Sequence, residues 1–115
     1  MHKVAICTIF LSAILATPSF AQKRCVVTVH TVGFSDQYSM AQYRGAFRLG
    51  QAAGNMKFFM AYYAKLESEE KAFDVNAGDR GEIIELDTMG DDSIAKVRIK
   101  GRGVLWMETS DLKCK

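Results

Sequence analysis

No segment of this chain is apolar for long enough to cross a bilayer. Its one extended apolar run, Val4 to Leu15, falls well short of the about 18 residues that a spanning helix needs. Histidine is scarce too: past the N-terminal segment His30 stands alone, and neither Cys25 nor Cys114 has His, Cys or acidic clusters around it. That argues against a dedicated metal site, which takes several such ligands at close spacing. Gly90-Asp91-Asp92 offers too few oxygens for calcium and reads as a hairpin tip. Gly101-Arg102-Gly103 precedes a strand, so it lacks the helix-start amides that cradle phosphate. Repeats, low-complexity tracts and flexible linkers are absent. One sign of charge does not dominate either: 15 Lys plus Arg stand against 13 Asp plus Glu, and without Lys3 the balance is +1. Such a balance argues against broad attraction to nucleic acid or anionic membrane.

What is present at the N-terminus is a cation at Lys3, the apolar run, a helix-breaking stretch at Thr17-Pro18, and Ser19-Phe20-Ala21. This pattern predicts a bacterial-type signal peptide over residues 1–21, cleaved after Ala21, and therefore a periplasmic or secreted protein without a membrane span. No cysteine stands where a lipid-anchoring site would need it. Residues 22–115 suffice for one domain with a modest core. Domains of that size often carry a covalent staple. Cys25 and Cys114, at the two ends of the mature chain in an oxidising compartment, are expected to pair with each other. The bond would set the first strand beside the last.

Residues 25–32, CVVTVHTV, alternate and are rich in β-branched types, which predicts one strand with Val27, Val29 and Thr31 on a common face. Ser35-Asp36 then provides helix-start chemistry for a helix from about Gln37 to Ala53, with Met40, Tyr43, Phe47 and Gly50 on its buried stripe. Gly54 suits a left-handed helix end and Asn55 a second cap. A second helix, about Met56 to Ser68, carries Phe58, Phe59, Tyr62, Tyr63 and Leu66 on one face, completing a helical hairpin that with the N-terminal strand makes up residues 22–69. From residue 70 the period turns strand-like. Strands are expected near Ala72–Val75, Gly81–Asp87, Ile94–Lys100 and Val104–Glu108, separated by turn-forming NAGDRG, TMGDD and GRG. Ala95, Val97 and Ile99 share one face of the third, and Lys96, Arg98 and Lys100 the other.

The stretch from Phe73 to Leu112 resembles bacterial Src-homology-3-like (SH3-like) domains. The resemblance rests on the Ala77-Gly78 turn, the Gly90-Asp91-Asp92 hairpin, Lys96-Val97-Arg98 with Gly101, Trp106, and Ser110-Asp111-Leu112. Leu105 stands where that family usually has glycine, and Glu108 where it often has proline. The resemblance implies an α+β protein: a short N-terminal strand and two-helix hairpin packed on a small SH3-like β-barrel over residues 70–115. It also implies a binding or adaptor module, because the fold by itself dictates no chemistry.

Two candidate surfaces emerge. The basic stripe Lys96, Arg98, Lys100 and Arg102 would contact an anionic polymer; its bland counterpart is a solvated face paired with Glu82 and Glu85. Trp106 with Tyr62, Tyr63 or Tyr38 would form an aromatic shelf for a sugar or peptide; its bland counterpart is core packing. A catalytic grouping of His30, Glu85 and Arg98, as in a small secreted hydrolase or nuclease, would need convergence that the spacing does not impose. The expected function is thus non-catalytic binding in the bacterial envelope, of a protein partner or peptidoglycan or another wall polymer, with no cofactor, metal or nucleic acid. A secreted enzyme inhibitor is the alternative within binding proteins, the hydrolase the alternative outside them.

Overall fold

The computed structural model describes residues 23–115; the signal peptide expected over residues 1–21 lies outside the described residues. The fold is α+β. Its strands are β1 (Arg24–Val27), β2 (Thr31–Phe34), β3 (Ala72–Val75), β4 (Arg80–Met89), β5 (Asp92–Ile99), β6 (Gly103–Glu108) and β7 (Leu112–Cys114). Two helices, α1 (Gln37–Ala53) and α2 (Met56–Ser68), separate β2 from β3, and a 3-10 turn (Thr109–Asp111) leads into β7. All strands join one antiparallel sheet in the order β3-β2-β6-β5-β4-β1-β7, curled into a half-barrel.

The single strand expected over residues 25–32 is instead two. β1 runs between β4 and β7, whereas β2 runs between β3 and β6 on the other side of the sheet. Thr28, Val29 and His30 make the crossing, and all three are exposed, Val29 by 48%. Alternation of β-branched residues reports pleating but not which neighbours a strand takes, so it cannot reveal where pairing changes hands. The N-terminal part therefore supplies two strands to the sheet, each one place in from an opposite edge. β3 to β6 fall close to their expected positions, whereas β7 is not among the expected strands.

Curling gives the sheet two apolar clusters. Inside the curl, Cys25, Val27, Val75, Ile83, Ala95, Val97, Ile99, Leu105 and Met107 pack together. On the outer face, Phe34, Ile94 and Trp106 meet Met40 of α1 and Leu66 of α2. Ile94, Lys96 and Arg98 share the outer face by parity, yet Ile94 is fully buried and Arg98 exposed. The helical hairpin covers one end of that face and leaves the other open. Polar ties hold it there: Gln37 Nε2 donates to Asp87 at 2.8 Å, and the Arg44 guanidinium bonds the Asp92 carboxylate.

Phe47 and Phe58, expected on the buried stripes, are 38% and 49% exposed. Each helix packs against the sheet and against the other helix, and Phe59 rather than Phe58 takes the space between the two helices, its ring 5.1 Å from Tyr43 and 5.2 Å from Phe47. Gly54 closes α1 in the left-handed region, φ 64°. Asn55 makes no side-chain cap for α2, contrary to expectation; its backbone N–H donates to the Gly50 carbonyl at 2.8 Å.

Asp36 does cap α1, accepting the Ser39 N–H at 2.7 Å. That bond is the main reason its carboxyl is held below the usual carboxylate range, with smaller help from the Ser39 and Ser35 hydroxyls against some burial. A depressed folded value means the carboxylate stabilises the fold above its unfolded pKa of about 3.9. The contribution disappears as pH falls through the folded value. Asp36→Ala is expected to cost about 1 kcal/mol at neutral pH. Urea melts at a series of pH values should show the gap to wild type closing only below about pH 4.

Candidate functional site

The open end of the outer face is built by β5, β4, β1 and β7. In β1, Arg24 stands opposite Glu82 of β4, which stands opposite Arg98 of β5. On the other side of β1, Lys115 donates its backbone N–H to the Arg24 carbonyl at 3.1 Å. Two residues along, Val26 stands opposite Arg80 in β4 and Lys113 in β7. Lys100 joins that row through its backbone N–H, 2.9 Å from the Arg80 carbonyl. Directly opposed residues put their side chains on one face, and residues two apart return to it. Six cations, one acid and one valine therefore share a grid of two rows across four strands.

Between those rows lies a third that faces inward: Ile99, Gly81, Cys25 and Cys114. Cys25 and Cys114 are directly opposed and disulfide-bonded, with Cα atoms 4.0 Å apart. Gly81 is required here, since a Cβ would come 2.7 Å from the Arg98 carbonyl oxygen and 2.8 Å from Val97 Cγ1. The two cysteines thus anchor the grid from beneath, with Arg24, Lys113 and Lys115 as their immediate neighbours in sequence.

The face opens on a cleft of 710 Å³ lined by these residues. No aromatic, hydroxyl or amide side chain lines it among the described residues, so its side-chain polar groups are the six cations and Glu82, set among Val26 and the aliphatic stems of the lysines and arginines. Arg98 lies 3.5 Å from Glu82. Among the described residues the other five cations of the face form no ion pair.

Of the four stripe residues expected from sequence, Arg98 and Lys100 belong to the grid. Lys96 sits at its margin, opposite Glu85 on one side and Trp106 on the other. Arg102 is drawn away, its Nε donating to Asp79 at 3.1 Å. Glu82 pairs across the sheet as the solvated-face reading anticipates, but it pairs with one cation of six. Arg24, Arg80, Lys113 and Lys115 were not among the sequence candidates. A signal for three of them was present: they flank the two cysteines whose pairing was expected.

The aromatic shelf has no counterpart. Trp106 is 7% exposed and packs with Phe34, Met40, Leu66 and Ile94. Tyr62 and Tyr63 are half-buried around the same cluster, their hydroxyls donating to Gln42 at 2.6 Å and Asp74 at 2.8 Å. Burial, then the bond to Asp74, pushes the Tyr63 phenol well above its ordinary value. The physical reason is coverage: the hairpin lies over the part of the face where Trp106 emerges. Nor do His30, Glu85 and Arg98 share a partner. His30 is 3.7 Å from Asp74, Arg98 is beside Glu82, and Glu85 stands opposite Lys96. Among the described residues, no three His, Cys, Asp or Glu gather for a metal, and no helix is long and apolar enough to span a membrane.

Compared with family models, curated proteins and solved structures, the chain matches none.

Proposed function

We propose that residues 22–115 form an exported, non-catalytic binding module of the bacterial envelope, periplasmic or secreted, whose ligand is an acidic protein or wall polymer docked on the cation grid. We further read residues 70–115 as an SH3-like barrel whose sheet has admitted two strands from the N-terminal part. The observation that carries the functional reading is segregation of charge. A chain that is almost neutral after signal removal collects Arg24, Arg80, Arg98, Lys100, Lys113 and Lys115 on one open face with a single acid. Like charges held this close are mutually repulsive, and a complementary anionic ligand relieves that repulsion. The buried Trp106 weighs against recognition of neutral sugars through an aromatic shelf.

Exposed apolar residues on the hairpin, Leu49 at 62%, Met60 at 61% and Phe58 at 49%, favour a protein partner as the second reading, including an inhibited enzyme. Co-sedimentation with isolated cell-wall sacculi separates docking of a wall polymer on the grid from binding of a protein. The oxidised mature protein should be retained at low salt and released at high salt. An Arg80→Glu/Lys113→Glu variant with an unchanged melting temperature should not be retained. Retention indifferent to both salt and those substitutions would remove the grid as the site.

A further inference from the structure

We infer that the ligand of the grid is a linear, phosphate-bearing polymer lying across the strands and held at several phosphates at once. This rests on the binding-module reading and specifies its ligand. The first argument is multivalency. The six cations are all exposed, and no buried donor stands among the lining residues to trap a single anion. One solvated ion pair contributes only about 0–1 kcal/mol, so useful affinity requires several contacts in register. Neighbouring strands lie about 4.8 Å apart and same-face residues about 7 Å apart along a strand. The grid is therefore longer across the strands than along them. Its rows run from Lys100 through Arg80 to Lys113, and from Arg98 through Arg24 to Lys115.

The second argument concerns chemistry. A peptide ligand brings backbone N–H and C=O groups that need partners when covered. The lining side chains provide no hydroxyl or amide, β1 in the middle of the face is hydrogen-bonded to β4 and β7 on its two edges, and the backbone edge left open beside the face among the described residues, that of β7, is only three residues long. A polymer whose recognisable groups are the anions themselves leaves nothing unsatisfied. Guanidinium forks at Arg24, Arg80 and Arg98 match phosphate oxygens in pairs. The absence of aromatic lining side chains removes the stacking platform that single-stranded nucleic acid uses.

Glu82 acquires a role in this picture. Set in the middle of its row, it holds Arg98 at 3.5 Å and stands opposite Arg24, so it lowers the positive potential where the polymer crosses. It keeps the face selective for dense charge.

The test is a titration of the oxidised mature protein with three probes: inorganic polyphosphate of a few tens of units, poly-L-glutamate of matched charge, and orthophosphate at equal total phosphate. Polyphosphate should bind, weakening about 100-fold between 50 and 200 mM salt, as expected for about five neutralised charges. Arg80→Glu/Lys113→Glu should lose about tenfold or more with its melting temperature unchanged, and Glu82→Gln should bind several-fold tighter. Binding of polyglutamate but not polyphosphate, still sensitive to Arg80→Glu/Lys113→Glu, would overturn the phosphate assignment and leave an acidic protein as ligand. Orthophosphate competing as well as the polymer would overturn multivalency. No binding by either polymer would overturn the binding-face reading along with the inference.

Discussion

Reducing the Cys25–Cys114 bridge lowers the stability of the fold by about 4–5 kcal/mol, the chain entropy released by opening a loop of 89 residues' separation. For a domain of this size that corresponds to a fall in melting temperature of about 15–30 °C. The geometry explains why little compensates. β7 is three residues long, lies at the sheet edge, and among the described residues has β1 as its only strand partner. Without the covalent tie, β7 has few other contacts to hold it against β1. Circular dichroism melts of oxidised protein, reduced protein and a Cys25→Ser/Cys114→Ser variant provide the measurement. Equal melting temperatures in all three would show that the bridge contributes no stability. Under conditions where the reduced protein remains folded, polyanion binding should weaken as well, because Lys113 and Lys115 ride on β7.

Trp106→Ala is expected to cost about 3–5 kcal/mol, the range for emptying a buried aromatic site. Against a total stability of about 5–15 kcal/mol for a protein of ordinary size, this leaves a marginal fold. The indole sits where β6 meets β2, opposite Phe34, with Ile94 beside it and Met40 and Leu66 above. Its removal opens a void between the sheet and both helices. Urea unfolding followed by circular dichroism checks the loss. Fluorescence of the wild type supplies an independent reading, since Trp106 is the only tryptophan and its emission should shift to the red on unfolding. A folded, near-wild-type Trp106→Ala protein would contradict this placement. Trp106→Phe, which keeps most of the apolar volume, should be milder.

Much of the fold was legible because local chemistry speaks for itself. Asp36 before α1 and Gly54 after it mark helix ends through their own backbone and side-chain preferences. The alternation of Ala95, Val97 and Ile99 with Lys96, Arg98 and Lys100 states which side of β5 is dry. Cys25 and Cys114 were readable as a pair because the sequence past the N-terminal apolar segment holds no other cysteine. Other features resisted. CVVTVHTV alternates throughout, yet Val27 is buried and Val29 is not, because the chain changes neighbours between them. Phe58 and Phe59 are adjacent and chemically alike, and only the position of α1 decides that Phe59 is inside.

The candidate site shows the same division. By itself the sequence determined the two helices, the strands between residues 72 and 108, the covalent closure, and the presence of a basic, half-solvated β5, since each depends on residues within one segment or on a single compelled pairing. Only the tertiary structure decided that β1 inserts between β4 and β7, that the helical hairpin buries Trp106 at one end of the outer face, and that cations from four strands meet at the other. Strand order and coverage depend on side chains far apart in the chain finding a joint minimum, and no local pattern of residues encodes that choice.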